Sequence, residues 1–212
     1  MDIKIFTFNP FQENTYLIYD NTNECIVIDA GCYEQYEQTE LVNFIEKNNL
    51  KLKKIINTHC HIDHILGVKF LKEKYNVDFI AGKNDEFLLN MAVDHAKIYG
   101  FKTQTPPLPD LYTDNLPDIN FGNTTLDILN VPGHTPGHVA YYCKAENCVF
   151  TGDVLFKGSI GRTDLPGGNY DTLISSIYEK LLTLPEDCIV YSGHGDSTSI
   201  GFEKNNNPFL GN

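Results

Sequence analysis

The chain has 212 residues, 42% apolar and 12% aromatic, which suits one domain with a sizeable core and excludes a disordered chain. Its 28 acidic and 16 basic side chains leave a formal net charge of −12, which repels polyanions at long range, so nucleic acid is not an expected partner. No apolar run reaches the roughly 18 residues of a bilayer span, and Met1–Phe6 enters strand-like alternation rather than a signal-peptide pattern, so the expectation is a cytoplasmic protein with no membrane partner.

Taken in chain order, Ile3–Phe8, Thr15–Tyr19 and Glu24–Ile28 read as strands, the last two separated by the turn Asp20-Asn21-Thr22-Asn23. Leu41, Phe44 and Ile45 mark a helix that ends in Lys47-Asn48-Asn49, and Lys53–Asn57 is a short strand. A helix follows through Ile65, Val68 and Leu71, then a strand at Asp78–Ala81 and a second helix over Lys83–Tyr99. Thr103–Pro109, with three prolines, is a surface loop. Strands are expected at Thr124–Val131, Val139–Cys143 and Cys148–Thr151, a helix through Tyr170–Leu181, and a last strand at Asp187–Tyr191. No repeat or linker interrupts this order, so the chain reads as a single domain, residues 1–212. The pattern fits two β-sheets packed together with helices outside, an arrangement that other α/β layouts share. The six cysteines form no C-x-x-C pair and read as reduced thiols, mostly in the core.

Chemistry concentrates in Thr58-His59-Cys60-His61-Ile62-Asp63-His64, directly after an apolar strand. In an extended loop alternate side chains share a face, which groups His59, His61 and Asp63 and sends Cys60 into the packing. His64 opens the next helix and turns toward a second centre. Imidazole and carboxylate suit zinc, iron or manganese. Three further strand ends carry a glycine turn with one ligand-type side chain each: Gly133-His134, Gly152-Asp153 and Gly193-His194. Five of the seven histidines fall in these motifs, His138 follows four residues after His134, and His95 reads as a surface or helix residue.

The series H-x-H-x-D-H, G-H-T-P-G-H, G-D and G-H resembles the metallo-β-lactamase superfamily, from Asp29 to the C-terminus. The resemblance implies an α/β four-layer αββα sandwich and two divalent metal ions, zinc first, with iron or manganese as alternatives. By that resemblance His59, His61 and His134 hold the first ion, Asp63, His64 and His194 the second, and Asp153 bridges them. It also implies that Asp29 orients the ligand loop by hydrogen bonds, and His138 is assigned a supporting role of the same kind. β-Lactamases with a cysteine ligand carry Cys where this chain has Asp153, which counts against antibiotic hydrolysis.

Within the superfamily, Thr151–Phe156, Gly158–Asp164 and the tail Asn207–Leu210 are similar to glyoxalase II in its short single-domain form. The implied reaction is hydrolysis of a glutathione thioester such as S-lactoylglutathione. Two ions about 3.5–4 Å apart would lower the pKa of a shared water to about 7, with Asp63 orienting the nucleophile and relaying its proton. A thiolate leaves readily, so neither a strong general acid nor a nucleophilic serine is required. Arg162 stands where the family meets glutathione; it reads equally as a salt-bridge partner of Asp164. The longer glyoxalase II enzymes grip glutathione with an added C-terminal helical domain, and Asp196 replaces their aromatic residue, so another thiol carrier is also an expectation. Thr58–His61 and Gly161–Asp164 also resemble the persulfide dioxygenases, in which His59, His134 and Asp153 would hold one iron. An inactive metal-stabilised binding domain and a nuclease are the remaining alternatives; the ligand set disfavours the first and the acidity the second.

Overall fold

Period-two burial along the strands is what builds the layers. The structure, a computed structural model, describes residues 1–100 and 102–211. Its first half contains β1 (Asp2–Phe8), β2 (Glu13–Tyr19), β3 (Glu24–Ile28), α1 (Gln35–Lys47), β4 (Lys51–Ile56), α2 (Ile62–Ile65), α3 (Val68–Tyr75), β5 (Asp78–Ala81), α4 (Glu86–Ile98) and β6 (Leu111–Tyr112). The second half contains β7 (Asp118–Phe121), β8 (Thr124–Asn130), β9 (Val139–Cys143), β10 (Cys148–Gly152), β11 (Leu155–Phe156), β12 (Ser159–Ile160), α5 (Tyr170–Ser176, running on as a wider π turn through Leu181), β13 (Ile189–Ser192), β14 (Thr198–Ser199) and α6 (Ile200–Asn206).

On β2 and β3, Leu17, Cys25 and Val27 face one core and Tyr16, Ile18, Ile26 and Ile28 another. On β9 and β10, Val139, Tyr141, Cys143, Cys148 and Phe150 meet that second core, while Ala140, Tyr142 and Val149 face a third. The first core lies under Leu41, Ile45, Val68, Leu71, Leu88 and Ala92 of the helices, and the third under Leu173, Ile177 and Ile200. Three cores separate four layers, helices–sheet–sheet–helices, as the resemblance implied.

Each sheet repeats one plan. The first runs β1-β2-β3-β4-β5-β6, antiparallel as far as β3 and parallel from β3 to β6. The second runs β14-β13-β10-β9-β8-β7, with β10 and β13 its parallel pair. The strands of the β3–α1–β4 crossover lead into the loops that carry Asp29 and His59, and those of the β10–α5–β13 crossover into the loops that carry Asp153 and His194. Ligands collect at the carboxyl ends of parallel strands, and here two such ends face each other. Backbone bonds join the sheets at this edge: Asn14 N donates to Gly193 O at 2.7 Å and Val139 N to Thr58 O at 2.9 Å.

Several boundaries differ from the sequence reading. The helix after the histidine motif is two pieces, interrupted at Leu66-Gly67, where Gly67 N donates to Ala30 O at 2.7 Å instead of continuing the helix. β7, the short strands β6, β11, β12 and β14, and α6 were not anticipated. No helix of the described residues is long and apolar enough to cross a membrane.

Candidate metal centre

β4 delivers its last apolar pair, Ile55 and Ile56, to the cores and then turns into the histidine loop. Asn57 holds that loop from beneath, its Nδ2 donating to the carbonyls of His59 (3.2 Å) and His64 (2.8 Å). Asn9 Nδ2 donates to Gly31 O and Asp63 O. Asp29, at φ 53°, accepts from Thr58 N and Thr58 Oγ1, both at 2.7 Å, and its Oδ2 lies 3.1 Å from His64 Nδ1. These contacts leave Asp29 below the cluster with its oxygens occupied.

Two groups of side chains converge above this base. Ligand-type atoms of His59, His61 and His134 lie within 4.8 Å of one another, as do those of Asp63, His64 and His194. Asp153 sits between them, its Oδ1 3.5 Å from His64 Nε2 and its Oδ2 3.7 Å from His134 Nε2 and 3.6 Å from His194 Nε2. Ligand-type atoms of Asp29, His59 and His64 also lie within 4.8 Å of one another, but this carboxylate is occupied by Thr58 and His64. Asp63 joins His64 and His194, not His59 and His61 as alternation along an extended loop predicts. His61 caps α2, so Asp63 lies in a helical turn, where its Oδ2 is 3.1 Å from His194 Nε2.

The outer nitrogens fix which ring atoms face inward. His134 Nδ1 contacts Arg162 O at 2.7 Å, His194 Nδ1 contacts Phe11 O at 3.1 Å, and His64 Nδ1 contacts Asp29. Each is an N–H donor to an oxygen, which leaves Nε2 as a lone pair aimed at the cluster. His59 Nε2, His64 Nε2, His61 Nε2 and Asp153 Oδ1 are buried without a hydrogen-bond partner, and His134 Nε2 faces His61 Nδ1 at 2.8 Å. Buried acceptors crowded together without donors are costly. A cation is the partner that satisfies them all at once, so the residues fit metal.

The electrostatics make the first group neutral ligands and leave His64 and His194 of the second holding protons that an arriving ion would displace. Burial pushes His59 well below the usual imidazole range and His61 to about 3, and lowers His134 as well. Neutral imidazole is the ligating form. Burial opposes ionisation of Asp63 and Asp153, yet the charge on His64 outweighs it and holds both carboxyls low. Burial likewise works against charge on His64 and His194, but Asp63 and Asp153 around them raise both.

His138 stands outside both groups. Its ring stacks on His59 at 4.7 Å and 14°, and its Nε2 accepts from Asp153 N at 3.2 Å. Cys60 is buried in the first core. Arg162 lines the cleft above the cluster, but its Nε and Nη2 donate to the two oxygens of Asp164, each at 2.7 Å.

Tertiary structure adds residues that the sequence reading passed over. Asp85, fully buried just before α4, turns its carboxylate away from that helix. It accepts from Cys60 N (3.1 Å), Thr135 Oγ1 (2.7 Å) and Gly137 N (2.6 Å), tying the His59–His61 loop to the His134–His138 loop. Glu13, also fully buried, accepts from Thr15 Oγ1 and has Oε1 3.9 Å from His64 Nδ1. His95, Ile98 and Tyr99 of the α4 end, with Phe11, form one wall of the cleft. Two glycines make room: Gly133, at φ 135°, lies against the backbone of Leu173, and Gly152, at φ 49°, against Thr58 and the His138 ring. A Cβ at either would collide.

The sequence model of the family described as "Metallo-beta-lactamase superfamily" matches residues 8–194. The chain is 41% identical to the hydroxyacylglutathione hydrolase GloC of Haemophilus influenzae, over 99% of this chain and 98% of that protein. Among solved structures it is similar to BLEG-1, described as a B3 metallo-beta-lactamase, at 34% identity and a TM-score of 0.90, covering 100% of both chains. It is also similar to TTHA1623, solved in a di-iron-bound form, at 35% identity and a TM-score of 0.85, over 98% of this chain and 100% of that one.

Proposed function

The chain belongs to the metallo-beta-lactamase superfamily, and from that premise we propose that it is a metal-dependent hydrolase of thioesters of glutathione or a similar thiol, such as S-lactoylglutathione. The observation that carries this reading is the convergence of unpartnered, buried imidazole nitrogens and a carboxylate oxygen on one point. His59, His61 and His134 would hold one divalent ion, Asp63, His64 and His194 a second, with Asp153 reaching both. Zinc suits the donor set, and the di-iron form of a relative keeps iron in play. When bound, the ions supply Lewis acidity toward a carbonyl and ionise water near neutral pH.

The chain's own residues then position and separate charge. Asp63 Oδ2, next to His194 Nε2, is an acceptor that orients a water proton and takes it up. The N–H groups of His134 and His194 are committed to backbone carbonyls, which fixes both rings before substrate arrives. The cleft walls of Phe11, Tyr99 and Leu165 keep bulk water from the acyl carbon. The departing thiolate is stable as an anion and needs no donor. The hydroxyacylglutathione hydrolase among the relatives supports thioester hydrolysis.

A second reading, a mononuclear iron dioxygenase, uses His59, His134 and Asp153, with His134 Nε2 3.7 Å from Asp153 Oδ2. The hydroxyacylglutathione hydrolase relative, 41% identical over 99% of this chain, favours the hydrolase. Asp153 tells only against lactamases with a cysteine ligand, so the B3 relative brings a β-lactam into the substrate panel. Elemental analysis paired with S-lactoylglutathione, β-lactam and persulfide assays tests the reading. Two ions per chain and thioester turnover, both lost in Asp153→Ala, are expected. One iron per chain with oxygen uptake on a persulfide, or turnover of the β-lactam alone, would overturn it.

A further inference from the structure

The cleft over the metal groups has a volume of about 450 Å³, and its wall is mostly carbon. Phe11, Ile62, Ile98, Tyr99, Leu165 and Pro166 line it around the ligands. Phe11 meets Tyr99 edge to face, with ring centroids 5.2 Å apart. Ile98 is 77% exposed and Tyr99 47%, a pair of large apolar side chains held out at the mouth of a cleft rather than folded into a core. Apolar surface presented at a concave site marks what the site covers.

Charge on these walls is sparse. Beyond the histidines and the two carboxylates of the metal groups, Arg162 is the one charged side chain among the described residues lining the cleft. Its fork is closed on Asp164 by two bonds. Nη1 stays open to a substrate carboxylate, but the charge behind it is already balanced by Asp164 in an exposed pair, so the gain there is small. Lys69 and Lys102 line a different recess, which among the described residues shares only Ile62 with the cleft, and Lys69 donates to Gln104 Oε1 at 2.5 Å.

The glutathione arm of a thioester carries two carboxylates and an ammonium group at neutral pH. Three charged groups laid along this wall would lose water and find one cation, already engaged, in return. An uncharged arm loses no such hydration and covers Ile98 and Tyr99. We propose, building on the hydrolase reading above, that the cleft selects thioesters whose thiol arm is uncharged, of the alkyl-amide kind, over glutathione thioesters. The determinants are Phe11, Ile98 and Tyr99 on one wall and the Arg162–Asp164 pair on the other.

The test holds the acyl group constant. The metal-loaded full chain is assayed with D-lactoyl thioesters of N-acetylcysteamine and of glutathione, and binding of the matching non-hydrolysable S-hexyl thioethers is measured by calorimetry. A preference for the uncharged arm of about tenfold or more is expected in kcat/KM, carried by KM, with the same order in thioether affinity. Ile98→Arg, at an exposed position that leaves the core intact, should lower KM for the glutathione thioester and narrow the preference. Equal or better turnover and binding of the glutathione compounds would overturn the inference and leave the hydrolase reading standing. Turnover of neither thioester, with tighter binding of the uncharged thioether, would sink the hydrolase reading while the cleft's preference held.

Discussion

Asp85 offers a perturbation whose sign follows from the structure. Burial raises its carboxyl to about 6 from an ordinary 3.8, while bonds from Thr135, Gly137 and Cys60 pull the other way. A raised folded-state value means that the folded chain holds the proton more tightly than the unfolded one. The stability this contributes is complete below pH ~4 and is lost as pH rises through about 6. The full span is roughly 3 kcal/mol, of which about 1.4 kcal/mol falls between pH 5 and pH 8. Asp85→Asn is neutral at every pH and lacks this slope. It pays a constant penalty, because one of the three donors now faces an amide N–H, at about 1–3 kcal/mol. Urea unfolding of both proteins, metal-free, at pH 5, 6, 7 and 8 isolates the effect in the difference. Wild type should lose ground to the variant by about 1.4 kcal/mol across that range, roughly 0.5–1 M in the urea midpoint. A difference that stays flat, or grows in favour of wild type as pH rises, would refute the assignment of Asp85 as a carboxylate ionised against its burial.

His138→Ala removes the acceptor of Asp153 N and the stacking partner of His59; metal titration should show affinity about 10–100-fold weaker with both ions still bound at saturation. Gly133→Ala forces a Cβ onto the Leu173 backbone at φ 135°, so thermal unfolding should report a loss of at least about 2 kcal/mol, and an unchanged midpoint would contradict the close approach. Glu203→Ala strips the buried acceptor of Gly158 N, Thr198 Oγ1 and Asn207 Nδ2. A loss of about 3–5 kcal/mol is expected in chemical denaturation, with metal content preserved because no ligand touches Glu203.

What could be read from the chain was whatever the chain keeps local. His59 to His64 lie on one short turn, and each remaining ligand follows a glycine at a strand end, so residue type and spacing exposed them. Strands such as Glu24–Ile28 and Val139–Cys143 showed as short, nearly continuous apolar runs because both faces are buried by different layers. β6, β11, β12 and β14 have two residues each, too few to display a period. Asp63 was misgrouped because a helical turn starting at Ile62 replaces the assumed extension. Asp85 was hidden for another reason: ahead of Glu86–Ile98 it looks like an ordinary helix cap, and only the packing of two loops from distant sequence makes it their shared acceptor. Phe11, Ile98 and Tyr99 carry no motif, and their common wall exists only in three dimensions.

The repeated plan of the two sheets also sets an order of events. The first crossover yields His59, His61, Asp63 and His64; the second yields Asp153 and His194, with His134 before it. As a nascent chain emerges N-terminus first, the four early ligands stand ready long before their counterparts exist. Neither metal group closes until residues from the second sheet arrive, and His194 comes only after Ile189–Ser192 has paired beside β10. Ion capture would therefore wait on that long-range strand pairing, and a bound ion would work as a latch: it would secure sheets that came off the ribosome at different times, and opening either one would first have to release it.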